Sequence, residues 1–348
     1  MNQPFDAILI LSFGGPEGMD EVMPFLENVL RGRSVPRERM LEVAHHYELF
    51  GGVSPINAQN RALIAALEKE LERSGPRLPV YWGNRNWHPM LADTLRRMMD
   101  DGIERALGFA TSAYSSYSSC RQYQENISRA REEVGERAPL IEKLRPFYNH
   151  PGFIEANAEH VRAALEEIPA GRRAAAHLAF TAHSIPLAMA ENSDYEAQLQ
   201  ESSRLVAERA GRESWRLVFQ SRSGPPTQSW LEPDICDYLR ELKQVGASDV
   251  VISPVGFISD HMEVLYDLDT EAKALAAELG INMLRAATAG THPAFIGMIR
   301  ELILERIETG VAPRHLGTRG IKDCGYPSDC CLPSMMRPTA GDGRERAT

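Results

Sequence analysis

The chain has 348 residues, of which 43% are apolar and 25% charged, and its formal net charge at pH 7 is −10. This length allows two domains with apolar cores, whereas the negative balance argues against nucleic-acid binding, which needs a basic face. No stretch reaches the roughly 18 apolar residues that a membrane span needs. The N-terminal segment Met1–Asp6 lacks the basic region of a signal peptide. We therefore expect a cytoplasmic protein without a transmembrane segment.

Short apolar runs alternate with helical patterns along the chain. The predicted strands are Ala7–Ser12, Val80–Trp82, Arg105–Thr111, Ile141–Phe147, Ala175–Thr181, Arg216–Gln220, Val250–Val255 and Asn282–Ala287. The predicted helices are Met19–Leu30, Ala58–Arg73, Met90–Asp101, Gln122–Glu133, Phe153–Glu167, Tyr195–Ala210, Asp234–Val245, Leu268–Leu279 and Phe295–Thr309. Continuous apolar strands are typical of sheets buried on both faces, and repeated strand–helix units favour parallel sheets.

The predicted strands divide evenly around His150-Pro-Gly152. We therefore predict an α/β fold with two Rossmann-like lobes, each a parallel sheet flanked by helices. The first lobe would span residues 1–150 and the second 151–312, with a cysteine-containing tail at 313–348, and the last helix could pack back on the first lobe. Ligands of such sheets bind beyond the carboxyl ends of the strands, which predicts a cleft between the lobes.

Two polar segments follow predicted strands on this rim. His183 lies just past the fifth strand, and a histidine near neutrality suits proton acceptance; a loop histidine bonded to backbone is the alternative. Glu263, Asp267 and Glu271 are spaced four residues apart, which places them on one face of a helix. Because like charges at this spacing destabilise a helix, the row indicates passage of protons or a metal ion. A solvated helix face is the alternative.

The cysteines form a second candidate site. They are Cys120, Cys236, Cys324, Cys330 and Cys331. A reducing compartment argues against disulfides, and the bend at Gly325-Tyr-Pro lets the last three thiolates converge. Three soft ligands predict zinc or an iron–sulfur cluster with a fourth ligand from elsewhere, and a tail with incidental thiols is the alternative.

Several segments, taken in order, resemble the ferrochelatase family. They are Leu11-Ser-Phe-Gly-Gly-Pro16, Phe50-Gly-Gly-Val-Ser-Pro-Ile56, Thr181-Ala-His-Ser-Ile-Pro186, Gln220-Ser-Arg-Ser-Gly224, Trp230-Leu-Glu-Pro-Asp234 and Pro254–Asp269. The resemblance implies a lyase with two lobes of the type II chelatase kind, which inserts Fe(II) into a porphyrin in heme biosynthesis. The segments Phe25–Val29 and Ser112–Tyr117 resemble the actinobacterial-type branch, whose members generally act on coproporphyrin III.

The resemblance also implies roles for single positions. His183 and Glu263 match the family's catalytic and metal-binding pair, and Asp267 and Glu271 match its acidic track. The positions that match porphyrin contacts are Phe13, Arg31, Arg33, His46, Tyr47, Ser54 and Tyr123. Phe13 stands where some members have a tyrosine, and His46 where some coproporphyrin enzymes have an arginine.

The cysteine tail resembles that of family members with a [2Fe–2S] cluster. The implied ligands are Cys120, Cys324, Cys330 and Cys331, with Cys236 as the alternative fourth. The expected partners are the porphyrin, Fe(II) and, in transient contact, neighbouring heme-pathway enzymes. Three other functions stay open: a protoporphyrin IX ferrochelatase, a cobalt or nickel tetrapyrrole chelatase, and a non-catalytic porphyrin or heme carrier.

Overall fold

The computed structural model describes residues 5–32, 35–224, 227–322 and 330–333. Within them the chain forms two parallel four-stranded sheets. The strands are β1 Ala7–Ser12, β2 Val80–Asn84, β3 Arg105–Ala110, β4 Leu140–Lys143, β5 His177–His183, β6 Arg216–Gln220, β7 Asp249–Ser253 and β8 Asn282–Arg285. The first lobe has the order β2-β1-β3-β4 and the second β6-β5-β7-β8. The predicted fold class is confirmed.

Helices connect the strands in both lobes. The α-helices are α1 Met19–Val29, α2 Arg37–Glu48, α3 Ile56–Ser74, α4 Leu91–Asp100, α5 Gln122–Val134, α6 Pro151–Glu166, α7 Ala170–Arg173, α8 Leu187–Ala190, α9 Tyr195–Arg209, α10 Ile235–Gln244, α11 Met262–Val264, α12 Lys273–Leu279 and α13 Pro293–Ile307. Two π-helices, with wider turns, are seen in the described residues: π1 Tyr117–Arg121 and π2 Leu265–Ala272. None of the described helices is long and apolar enough to cross a membrane.

One apolar core serves both sheets. Ile8 of β1 and Phe180 of β5 belong to the same buried cluster, together with Phe153 of α6 and Phe295 of α13. The last helix packs against α3 of the first lobe as well as against α6. This core holds the two sheets in a fixed relationship, so the side chains at their strand ends can face one another.

The strand ends differ from the prediction at functionally important places. β5 continues to His183, which pairs with Gln220 of β6, so His183 is the last residue of a strand rather than a loop residue just past one. β4 ends at Lys143 instead of Phe147, and Pro146, which has no amide donor, follows shortly after. The strand end fixes the backbone of His183 more firmly than a loop would.

The helices α1 and α2 form a separate apolar cluster. Its buried members are Val22, Phe25, Leu26, Ala44, Tyr47 and Met262. The last of these, Met262, belongs to α11 of the second lobe. The α1–α2 pair is therefore anchored on the second lobe, and this contact brings the polar residues of α2 to the junction between the lobes.

Candidate active site

Three neighbouring strands of the second lobe end at this junction. The order β6-β5-β7 places their carboxyl ends side by side, where ligands of such sheets bind. His183 ends β5, Gln220 ends β6, and Glu263 follows the loop after β7. The sheet topology thus gathers residues that are up to 80 positions apart in the sequence.

His183 is held mainly through its backbone. Its carbonyl oxygen accepts a hydrogen bond of 3.0 Å from the Tyr195 hydroxyl, and Ser184 N donates to Gln220 O at 2.8 Å. The imidazole Nδ1 lies 3.5 Å from the same carbonyl oxygen of Gln220, at the outer limit of a hydrogen bond. The ring is half-buried.

His261 lies beside both members of the predicted pair, although the sequence did not single it out. Its Nδ1 is 3.9 Å from Glu263 Oε2. Burial lowers the pKa of His261, and the nearby His183 lowers it further, while the Glu263 charge opposes the shift. The three side chains therefore share one electrostatic environment.

Glu263 also faces the first lobe. Burial raises the pKa of Tyr47 in α2, and the negative charge of Glu263 raises it further. The same two causes act on the pKa of Tyr195 in α9. Because the Glu263 side chain keeps 47% of its surface exposed, its carboxylate is accessible at the lobe junction.

Asp267 lies deeper than Glu263. The Ser221 hydroxyl donates to its Oδ2, and Gln220 Nε2 lies 3.4 Å from the same oxygen. Burial raises the pKa of Asp267 to about 7; the Ser221 hydrogen bond lowers it, and the charges of Glu263 and Glu271 raise it. A carboxyl group that titrates near neutral pH can both accept and release a proton there.

Glu271 extends the acidic row outward. Burial raises its pKa, and the charge of Asp234 adds to the shift while Arg240 opposes it. Asp234 caps α10 by accepting from Cys236 N at 2.8 Å, and the sequence analysis did not place it in the row.

The helix geometry under this row differs from the expected α-helix. Asp267 and Glu271 lie in π2, whose turns are wider than those of an α-helix. Even so, the charges of Glu263 and Glu271 both act on Asp267. Such π turns occur frequently at functional sites.

Two of the predicted porphyrin contacts, Phe13 and Tyr123, flank a cation that the sequence analysis did not single out. The Arg85 guanidinium lies 5.4 Å from the ring centroid of Phe13 and 4.8 Å from that of Tyr123. Phe13 in turn packs edge-on against Phe25, at 6.2 Å. Arg85 directly follows β2, so its place beyond a strand end was the available signal in the sequence.

The remaining predicted contacts take several positions. Ser54 is buried and packs closely against Gly15. A side chain at position 15 would clash with it, because a Cβ added to Gly15 would lie only 2.7 Å from the Cβ of Ser54. His46 of α2 stacks on Tyr266 of π2. Arg31 is exposed just after α1, and Arg33 lies outside the described residues.

Three of the predicted cluster cysteines lie together. Cys330 Sγ is 3.5 Å from Cys331 Sγ, and a hydrogen bond with Cys120 is the main cause that raises the pKa of Cys331. Lys143 Nζ lies 3.1 Å from Cys120 Sγ, while Arg121 Nη1 donates to Cys330 O at 3.0 Å. Two cations therefore flank a group of thiols at π1.

Cys236 lies apart from this group. It lies beside Asp234 and Glu271. Its pKa is raised to about 12, mainly by burial and further by the negative charges of these two residues. Cys324 lies outside the described residues. Within the described ranges no three His, Cys, Asp or Glu side chains form a group that could hold a metal ion.

Comparison with known proteins identifies the family. The sequence model named Ferrochelatase matches residues 5–307. The chain belongs to the ferrochelatase family. This ferrochelatase is 58% identical over 342 residues to a protein named ferrochelatase from Rhodopirellula baltica, covering 98% of this chain and 97% of that one. The resemblance predicted from the motifs is confirmed.

Other relatives carry a more specific name. This ferrochelatase is 53% identical to a coproporphyrin III ferrochelatase of Streptomyces coelicolor, covering 97% of this chain and 96% of the relative. A protein of the same name from Nocardia farcinica is also 53% identical, with 97% and 99% covered.

Solved structures agree with the fold. SirB from Bacillus subtilis with Fe3+ superposes with a TM-score of 0.52 at 13% identity, covering 85% of this chain and 94% of that one. A multi-domain Deinococcus radiodurans protein described as similar to chelatases gives a TM-score of 0.51 at 17% identity. The match covers 88% of this chain but only 56% of that protein.

Proposed function

We propose that this ferrochelatase inserts Fe(II) into coproporphyrin III, giving coproheme, in heme biosynthesis. The observation that carries the proposal is the junction itself, where His183 and Glu263 both lie near His261 and Glu263 begins the row of carboxylates that continues with Asp267 and Glu271. Relatives named for coproporphyrin III, about 50% identical over nearly their full length, support the choice of substrate.

Metallation replaces two pyrrole N–H bonds by bonds to iron, so two protons must leave the porphyrin. We assign His183 as the acceptor of these protons, since its imidazole is half-buried at the end of β5 and histidine suits proton acceptance. Glu263 would lie on the opposite side of the metal, and the two residues would bind Fe(II) as the hydrated ion loses water. Both residues would release the metal to the porphyrin, because a tightly held iron would not leave.

The acidic row would connect this pair with solvent. Asp267, with its pKa near 7, is suited to take a proton from the junction and pass it outward. Glu271 is exposed at the outer end. Neighbouring carboxylates raise one another's pKa, so removal of a proton from one member favours protonation of the next.

The carboxylates of the porphyrin need donors from the first lobe. Coproporphyrin III has four propionates and protoporphyrin IX has two, and guanidinium groups bind carboxylates well. We assign this role to Arg31, Arg33, Ser54 and Tyr123, with His46 and Tyr47 from α2. Arg85 adds a cation between Phe13 and Tyr123.

Anaerobic competition kinetics test the proposal directly. Purified protein is given Fe(II) with equal concentrations of coproporphyrin III and protoporphyrin IX, and the two metallated products are separated. A higher kcat/KM for protoporphyrin IX would reverse the substrate assignment. Binding of porphyrin without turnover would favour a carrier. Preference for cobalt or nickel over Fe(II) would favour the other chelatases, since ordinary ligand affinities do not exclude those metals.

We also propose a [2Fe–2S] cluster held by Cys120, Cys324, Cys330 and Cys331. The proximity of Cys120 to Cys331 and its neighbour Cys330 supports it. Since no three of the described side chains form a metal-holding group, the thiols would have to draw closer together to hold the cluster. Cys120 is favoured over Cys236 because it is the one beside the tail. Such a cluster would tie the tail to the first lobe, and its role would be structural or sensory.

The cellular setting is part of the same proposal. A group of cysteines that serve as cluster ligands would fit a reducing cytoplasm, and transient contact with neighbouring heme-pathway enzymes would pass the porphyrin on. Fractionation of cells that express the tagged chain tests the first point, and crosslinking in those cells tests the second.

A further inference from the structure

Ser221 has a backbone conformation that serines rarely adopt. It directly follows β6 and has a φ of +64°, in the left-handed region. This conformation is unfavourable for a residue with a Cβ, and it persists only where the surrounding structure holds it. The contacts of Ser221 should therefore show which interaction holds it in this conformation.

The end of β6 presents two side chains to a single stretch of helix. The Ser221 hydroxyl donates to Asp267 Oδ2. Gln220 Nε2 donates to Glu263 O at 3.0 Å and lies 3.4 Å from the same oxygen of Asp267. Gln220 and Ser221 therefore contact the chain on either side of the start of π2, at Glu263 and Asp267.

Gln220 points toward a function at this place as well. It is only 1% exposed, yet its Oε1 has no hydrogen-bond partner among the described residues. Buried amide oxygens are normally bonded. An unbonded acceptor next to the acidic row is suited to a water molecule or a hydrated ion.

We infer that Ser221 is a positioning residue for Asp267. Its strained backbone places the hydroxyl at Oδ2, and this bond restricts the orientation of the Asp267 carboxylate, which comes between Glu263 and Glu271 in the row. The inference rests on the proposed function, in which that row carries protons or Fe(II). It adds a residue that acts through Asp267.

Three variants separate the hydroxyl from the backbone. Ser221→Gly accepts the left-handed conformation without strain but lacks the hydroxyl. Ser221→Ala lacks the hydroxyl and keeps the strain. Ser221→Asn tolerates the conformation and supplies an amide donor. Because the glycine variant fits the backbone, its loss of activity could not be ascribed to misfolding.

Loss of a hydrogen bond to a carboxylate should lower kcat/KM for Fe(II) about tenfold in Ser221→Gly and Ser221→Ala. The dissociation constant of the porphyrin should stay unchanged, and Ser221→Asn should recover part of the activity. In an Asp267→Ala background, Ser221→Gly should have no further effect. Wild-type kcat/KM in Ser221→Gly, or equal losses in both backgrounds, would overturn the inference.

A structural measurement tests the inference apart from the proposed function. Crystal structures of the wild type and of Ser221→Gly should show the Asp267 carboxylate turned away from its wild-type position in the variant. An unchanged carboxylate overturns the positioning role whatever the enzyme turns over. Absence of Fe(II) insertion by the wild type, by contrast, would contradict the proposed function alone.

Discussion

His46 lies flat against Tyr266, with ring centroids 3.5 Å apart and ring planes 9° from parallel. His46 belongs to α2 of the first lobe and Tyr266 to π2 of the second, so the stack joins the helix with predicted porphyrin contacts to the helix with the acidic row. Burial lowers the pKa of His46, and Arg39 and His45 lower it further. The ring is therefore mainly neutral when it stacks at physiological pH.

The stack should contribute to stability as a coupled pair. We expect His46→Ala and Tyr266→Ala to show a coupling of about 0.5–1.5 kcal/mol in the free energy of unfolding, measured by a double-mutant cycle in urea. His45→Ala is the control, because His45 is exposed and pairs with Glu48 in the same helix. Additive effects of the two stack mutations would show that the contact contributes nothing of its own.

His183→Ala should abolish metallation while porphyrin binding survives. The reason is that the variant loses the proposed proton acceptor but keeps the proposed porphyrin contacts of the first lobe. Stopped-flow absorbance gives turnover, and fluorescence quenching gives porphyrin affinity. His177→Ala, at the other end of β5, should keep most of the activity. A tenfold loss of turnover corresponds to a rise of about 1.4 kcal/mol in the activation free energy. If His183→Ala lost less than that, another residue would be the acceptor.

Asp267→Asn should stabilise the protein at high pH but not at low pH. The folded-state pKa of Asp267 is about 7 and its ordinary value is 3.8. Below pH 3.8 the group is protonated in both states. Between pH 3.8 and about pH 7 only the folded state holds the proton. The free energy of unfolding of the wild type therefore falls as pH rises through this range, by at most about 4 kcal/mol. Thermal unfolding at pH 4 and pH 8 measures this, and an Asn variant without gain at pH 8 contradicts it.

Glu271→Gln should slow Fe(II) insertion without changing porphyrin affinity, because it removes the outer member of the acidic row. Glu278→Gln is the matched control, as Glu278 is an exposed carboxylate on the adjoining helix α12. Initial rates over a range of Fe(II) concentrations and pH compare the two. Equal rates for both variants would mean that Glu271 is merely a solvated surface residue.

Cys120→Ser should remove the visible absorbance of a [2Fe–2S] cluster, while Cys236→Ser should keep it. The reason is that Cys120 contacts Cys331, whereas Cys236 lies with Asp234 and Glu271. Anaerobic purification with iron and sulfide analysis measures the outcome. Stoichiometric zinc in colourless protein would replace the cluster by a zinc site, and the opposite order of the two variants would reassign the fourth ligand.

The fold could be predicted from the sequence because strand burial leaves a strong local signal. The runs at β1 and β6 gave the bounds found in the structure. By contrast, α2 was missed because only Ala44 and Tyr47 of its twelve residues are buried, so its apolar periodicity is weak. The widening at π2 also escaped prediction, since an α-helix and a π-helix share the same local composition.

The candidate site was predictable only where its residues are local in sequence. The motif around His183 spans the end of β5 and the motif around Glu263 follows β7, and the order of strands brings them together. Arg85, His261 and Ser221 gained their significance from contacts across the fold, which no spacing in the sequence encodes. Ser221 in particular depends on a backbone angle that its residue type does not favour.

The apolar core shared by the two sheets makes the lobes energetically one unit. Phe153 and Phe295, which complete the cluster that contains Ile8 and Phe180, both lie beyond residue 150. A fragment that stopped there would therefore expose part of the first sheet's packing surface to water. The intact chain should melt in one calorimetric transition, and motions that admit a ligand should be confined to the margin formed by α1, α2 and π2.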